Sequence, residues 1–154
     1  MSTMQANGIR YGFIGNRDGL PDKVRRTLER ALADTAGNKD MVLNLAVNYG
    51  GRDEIVRAAR SMVREGVAPE AITERTYGQR LDTAGLPELD LLIRPSGELR
   101  LSNFLLWQAA YCEFVFMDKL WPDFGKRDLL QAVIEYQSRD RRFGGRPEAA
   151  PKQP

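Results

Sequence analysis

The chain has 154 residues, enough for one domain with its own core, and its 42% hydrophobic and 29% charged content is that of an ordinary globular protein. Its 23 basic and 21 acidic side chains give a formal charge of +2, so nothing in the total points to a nucleic-acid partner, and any anion site has to be local. One cysteine, Cys112, rules out a disulfide framework and a thiolate metal set and suits a reducing cytoplasm.

Residues 1–20 are interrupted by Gly, Asn, Arg and Asp and hold no signal-peptide core. No stretch reaches the roughly 18 apolar residues of a membrane span. The expected location is therefore cytoplasmic, with membrane contact at most peripheral. Residues 9–14 form a short apolar run that ends in the polar turn of residues 15–19, the pattern of a buried strand and its loop. A helix is predicted to open at Leu20-Pro21-Asp22, with Val24, Leu28, Ala31 and Leu32 on one face and Gly37-Asn38 at its end. Residues 41–47 give a second apolar strand. It leads through the turn Asn48-Tyr49-Gly50-Gly51 into a helix bearing Ile55, Val56, Ala59, Met62 and Val63, which Gly66 ends.

Residues 69–81 read as a weaker helix, and residues 89–94 as a third strand. After Pro95-Ser96-Gly97, residues 103–111 are apolar on nearly all sides, which predicts a short buried helix capped by Ser102 or Asn103. Residues 113–116 make a fourth strand, residues 120–124 a packed turn, and Leu129, Leu130, Val133 and Ile134 mark a last amphipathic helix to about Asp140. Residues 1–145 read as one domain, and the tail of residues 146–154 has no apolar content and reads as disordered. Alternating strands and helices imply an α/β fold with a mainly parallel sheet flanked by helices.

In open α/β sheets, ligands bind beyond the carboxyl ends of the strands. That directs attention to the loops at residues 15–19, 48–53 and 94–103. In the last, Arg94 ends a strand, and Arg100 and Ser102 precede the predicted helix. Two guanidiniums offer bidentate donors to phosphate oxygens, and a helix start adds backbone N–H groups and a positive dipole end. The loop reads either as a diphosphate site or as solvated surface paired with Glu98. In the second loop, Gly50 and Gly51 allow close approach of a ligand or serve a strand-to-helix turn.

The stretch LDLLIRPSGELRLSNFLLWQAAYCEFVFMDKLWPDF (residues 89–124) resembles the signature region of cis-prenyltransferases, the undecaprenyl diphosphate synthase family, and LNLAVNYGGRDEIV (residues 43–56) resembles a second family segment. RDRRFGG (residues 139–145) is similar to the family's carboxyl-terminal end, and the match runs without obvious gaps over residues 8–145. The resemblance implies the family fold, a dimer, and condensation of isopentenyl diphosphate onto an allylic diphosphate with Mg2+. It also implies that Arg94, Arg100 and Ser102 hold the diphosphate of isopentenyl diphosphate, that Glu113 is the carboxylate associated with Mg2+, and that Arg142 and Gly144 belong to an Arg-x-Gly end acting on a partner's site.

The family's opening strand, its Asp-Gly-Asn-Gly-Arg-Trp loop with the metal-binding Asp, and its Ser-Glu-Asn-Trp-like segment have no counterpart in this sequence. Pro95 stands where Thr is usual, and Leu99 where a polar residue or His is common. The resulting expectation is a subunit truncated at the amino terminus and inactive alone, with a homologous full-length chain supplying the missing Asp in a heterodimer or larger assembly. The alternatives are a non-catalytic stabilising homologue and a stand-alone enzyme for irregular coupling of short prenyl diphosphates.

Overall fold

A computed structural model describes residues 2–139. The chain forms two compact units, one of Met1–Pro87 with Asn103–Trp107 and a second containing Glu88–Ser102 and the chain from Gln108 onward. The first holds strands β1 (Ile9–Ile14) and β2 (Met41–Ala46), paired in parallel with Ile9 opposite Met41 and Ile14 opposite Ala46. Parallel neighbours need a crossover, here helix α2 (Asp22–Thr35), which packs on β1 together with the short helix α1 (Ser2–Ala6).

Leu28 and Thr35 are the buried residues of α2, and Thr35 couples the helix to the strand. Its fully buried hydroxyl accepts the Tyr11 N–H at 3.0 Å and donates to the Ala31 carbonyl at 2.8 Å. Asn38, just past the helix, donates from Nδ2 to the Ile9 carbonyl at 2.7 Å and so ties the helix end to the start of β1.

Helix α3 (Gly51–Arg64) buries Gly51, Glu54, Ala58 and Met62. This row differs from the predicted one, since Val56 and Val63 are exposed. An apolar count passes over the reason: a buried carboxylate, Glu54, occupies the inner face. The end of α3 has Val67 N–H on the Met62 carbonyl and Gly66 N–H on that of Val63, with Gly66 at φ 67°, the paired bonds of a Schellman motif.

The single helix predicted over residues 69–81 is instead a 3-10 turn (Pro69–Ala71) and helix α4 (Glu74–Gly78). Thr73 separates them in extended conformation and exchanges side-chain and backbone bonds with Thr76, a capping arrangement that starts a new helix.

In the second unit, strands β3 (Leu91–Arg94) and β4 (Glu113–Phe116) are parallel, with Leu91 opposite Glu113 and Arg94 opposite Phe116. Leu92, Ala109 and Cys112 form its buried cluster, with Leu89, Leu101 and Phe114 against it. Helix α5 (Lys126–Gln137) packs on β4 and fully buries Ala132, while Leu129, Leu130 and Ile134 stay exposed. Asp128 accepts the Gly125 N–H at 2.7 Å and pairs with Lys119 Nζ at 3.0 Å, and these partners, the N–H first, hold its carboxyl below the usual range. The turn over residues 120–124 contains a 3-10 segment (Trp121–Asp123) whose Trp121 stacks on Phe124 but is largely exposed.

The short helix predicted from residue 103 does not form. Ser102, Asn103 and Leu105 have φ of 50°, 64° and 46°, left-handed values that a right-handed helix cannot contain, and the first helical turn is the 3-10 segment Gln108–Tyr111. The expected α/β class with parallel strands and flanking helices holds, and no described helix is long and apolar enough to cross a membrane.

Thr35→Val preserves side-chain shape but removes the acceptor of a part-buried N–H. Urea unfolding followed by circular dichroism is expected to show a loss of about 1–3 kcal/mol, with Thr35→Ser losing clearly less.

Candidate functional site

The loop after β3 is built on fixed backbone. Pro95 disfavours helical conformation for the residue before it, which keeps Arg94 extended at the strand end. Ser96 and Gly97 then turn through φ of 79° and 70°, and their N–H groups bond the Lys119 and Met117 carbonyls, each at 2.8 Å. A Cβ on Gly97 would lie 3.1 Å from Asp118 Oδ1, so the position suits glycine for space as well as for φ.

This turn brings Glu98 between the two predicted arginines. Arg94 Nη2 donates to Glu98 Oε2 at 2.5 Å, and Arg100 Nη2 pairs with Glu98 Oε1, so one carboxylate engages both guanidiniums. Arg94 is mostly covered, with 22% of its side chain exposed, whereas Arg100 is 63% exposed. The Arg94 Nε is buried and has no hydrogen-bond partner among the described residues. An unmet buried donor costs roughly 1–3 kcal/mol, so this N–H favours any further oxygen that reaches it.

Ser102 is exposed and left-handed. The helix dipole expected beside these residues is absent, because the chain is not helical there. What the loop offers an anion is therefore the two guanidiniums and not a helix start.

Glu113, the predicted metal-associated carboxylate, opens β4. Its Oε2 accepts from Arg139 Nη1 at 3.0 Å; the same nitrogen bonds the Phe114 carbonyl at 2.7 Å, and Arg139 Nη2 pairs with Glu135. These carboxylates, Glu113 first, raise the affinity of Arg139 for its proton. Magnesium commonly takes one or two carboxylates together with substrate phosphates and water. Among the described residues no group of three or more His, Cys, Asp or Glu is placed to hold a metal ion, and Glu113 is already paired with a cation. These residues do not fit a resident Mg2+; an ion arriving with a diphosphate is the form they could accommodate. Arg142 and Gly144 lie outside the described residues.

In the first unit the glycine turn before α3 is filled by protein. Gly51 N–H bonds the Asn103 carbonyl at 2.8 Å, and Arg52 N–H bonds Asn103 Oδ1 at 2.9 Å. A Cβ on Gly50 would come 2.9 Å from Asn103 Nδ2, and one on Gly51 would come 2.8 Å from Leu106 Cγ. The small residues thus admit the chain's own segment, so this turn has the structural role of the two readings.

Sequence reasoning missed the charged network beneath that turn. Glu54, 1% exposed, accepts the Tyr49 hydroxyl at 2.6 Å and the Asp82 N–H at 2.8 Å. Asp82 receives both Nη groups of Arg57, at 2.8 and 2.7 Å, and accepts the Gly15 N–H at 2.9 Å. The Asp53–Arg57 pair at i,i+4 is visible in the sequence. Asp82, 25 residues from Arg57, carries no local signal.

A prenyltransferase family model, described as "Putative undecaprenyl diphosphate synthase", matches residues 1–144. The isoprenyl transferase of Heliobacterium mobile is 54% identical over 149 residues, covering 94% of this chain and 57% of that protein. The isoprenyl transferase of Listeria monocytogenes is 52% identical over 141 residues, covering 89% of this chain and 56% of that protein. Among solved structures, lavandulyl diphosphate synthase from Lavandula x intermedia, in complex with dimethylallyl diphosphate, superposes with a TM-score of 0.83 at 44% identity, covering 88% of this chain and 60% of the other. A probable undecaprenyl diphosphate synthase from Campylobacter jejuni gives 0.80 at 36% identity, covering 93% and 66%. The chain belongs to the undecaprenyl diphosphate synthase family of prenyltransferases. It spans rather more than half the length of the curated relatives it matches.

Burial, followed by the bond to Glu54, holds the Tyr49 phenol above its usual range. A raised folded-state value gives stability that is fully present below the unfolded pKa, about 10, and is lost as pH rises toward the folded value. Tyr49→Phe is therefore expected to flatten the fall in stability above about pH 10 in urea titrations, at a cost of about 1–2 kcal/mol at neutral pH.

Proposed function

We propose that this chain works as a subunit of a cis-prenyltransferase that condenses isopentenyl diphosphate with an allylic diphosphate, and that Arg94, Arg100 and Ser102 form its isopentenyl diphosphate subsite. The observation that carries the reading is the convergence of Arg94 and Arg100 on a single carboxylate, with the buried Arg94 Nε without a hydrogen-bond partner among the described residues. A place that holds one oxyanion between two guanidiniums suits phosphate, because planar forked donors match its oxygens two at a time. Family membership and the dimethylallyl diphosphate in the lavender relative's structure agree with a prenyl diphosphate as ligand.

In this reading a homologous full-length chain supplies the metal-binding Asp and the allylic site, and Arg142 and Gly144 act on that partner's site. Mg2+ brought by the diphosphates would offset their charge, and Glu113, which the family resemblance associates with the ion, would have to exchange its pair with Arg139 to approach it. The diphosphate that departs is the allylic one, whose charge is offset at the partner's site; the two arginines would hold the diphosphate of isopentenyl diphosphate, which stays on the product. Location in the cytoplasm, with peripheral membrane contact, suits charged substrates with an apolar product.

The second reading, a stabilising homologue without a working site, gains support from the pairing of both arginines with Glu98. Binding separates the two. Isothermal titration calorimetry of the full chain with isopentenyl diphosphate should show Arg94→Ala and Arg100→Ala each weaker by about tenfold to a hundredfold, with unchanged circular dichroism. Equal affinity in wild type and both variants would reject the subsite.

A further inference from the structure

We propose that Glu98 is a built-in competing anion, a carboxylate that occupies the diphosphate subsite in the empty protein and is displaced when diphosphate binds. The inference rests on the subsite reading of Arg94 and Arg100 and adds a role for a residue to which that reading gives none. Both carboxylate oxygens of Glu98 are engaged, Oε2 by Arg94 and Oε1 by Arg100, so it spans the two guanidiniums as a ligand oxyanion would. With Glu98 in place the trio keeps one net positive charge; with Glu98 withdrawn the pair presents two.

The surroundings make Glu98 the member able to leave. Arg94 sits at the end of β3 and is the most covered of the three. Glu98 is 40% exposed and follows Ser96 and Gly97, two left-handed residues whose N–H groups anchor the turn to residues 119 and 117. The backbone turn is therefore pinned while the Glu98 side chain lies toward solvent, where rotation out of the pair costs little desolvation. A single carboxylate leaves the Arg94 Nε unmet. A diphosphate has more oxygens and more charge, so it can bond both guanidiniums and reach that N–H. Tethering gives Glu98 a high effective concentration against a weak anion, so only a ligand that gains more than the carboxylate does will replace it.

The test is calorimetric titration of the full chain with inorganic pyrophosphate in wild type, Glu98→Gln, Glu98→Ala and Arg94→Ala, with circular dichroism to check folding. Removing the competing charge should tighten pyrophosphate binding about tenfold in both Glu98 variants, the scale of two partly exposed ion pairs. A purely positioning Glu98 predicts the opposite sign, since the arginines would lose their alignment. Unchanged or weaker binding in both Glu98 variants, with Arg94→Ala still weaker than wild type, overturns the competing-anion role and leaves the subsite standing. Arg94→Ala binding as tightly as wild type, or no binding by any of the proteins, overturns the subsite and the role together.

Discussion

Asn103 is the constraint around which the signature segment is shaped. Its backbone carbonyl and Oδ1 take the first two N–H groups of α3, one from a residue 51 positions earlier in the chain. To do so the residue sits at φ 64°, in a region where Asn is among the side chains that tolerate left-handed backbone. Its neighbours Ser102 and Leu105 follow into the same region, and the helix that the apolar pattern predicts there is lost. In return, α3 has its start satisfied, and Gly50 and Gly51 admit the segment at distances no side chain would allow.

The same turn changes the chemistry expected of the loop before it. Without a helix start at residue 103, the proposed anion subsite would rely on two guanidiniums, whose shared carboxylate is their partner. Arg94 is placed by the strand, and Arg100 follows a turn that residues 117 and 119, just after β4, hold through two backbone bonds. Rigidity lies in the backbone and adaptability in the exposed side chains of Glu98 and Arg100. That division suits a site which must take up and release a charged ligand. The carboxylate at Glu113 belongs to a different cluster, centred on Arg139, which fixes the end of α5 to β4 through Glu113, Glu135 and the Phe114 carbonyl.

Much of this was legible in the sequence. The strands at residues 9–14, 41–46, 91–94 and 113–116 follow from short apolar runs bounded by turns, and the class of fold follows from their alternation with helices. Arg94 and Arg100 stand out by spacing, and their pairing with Glu98 is the part of the two readings of their loop that is seen; the diphosphate reading is the proposal. What failed to show was tertiary. The buried face of α3 depends on Glu54, whose partners Tyr49 and Asp82 assemble only on folding. The break at Thr73 depends on one hydroxyl exchange with Thr76, and the left-handed run at residues 102–105 depends on Asn103 meeting α3. Periodicity registers none of these, because each is set by a polar contact and not by an apolar face.

The central claim is that Arg94 is the inner wall of a diphosphate subsite. Its Nε–H can be followed directly in 15N-labelled protein by NMR, assigned with Arg94→Lys, as inorganic pyrophosphate is added. The account predicts that this resonance moves and becomes protected from solvent exchange as the N–H acquires an oxygen acceptor. Binding of pyrophosphate that shifts other resonances and leaves Arg94 Nε–H where it was would contradict it.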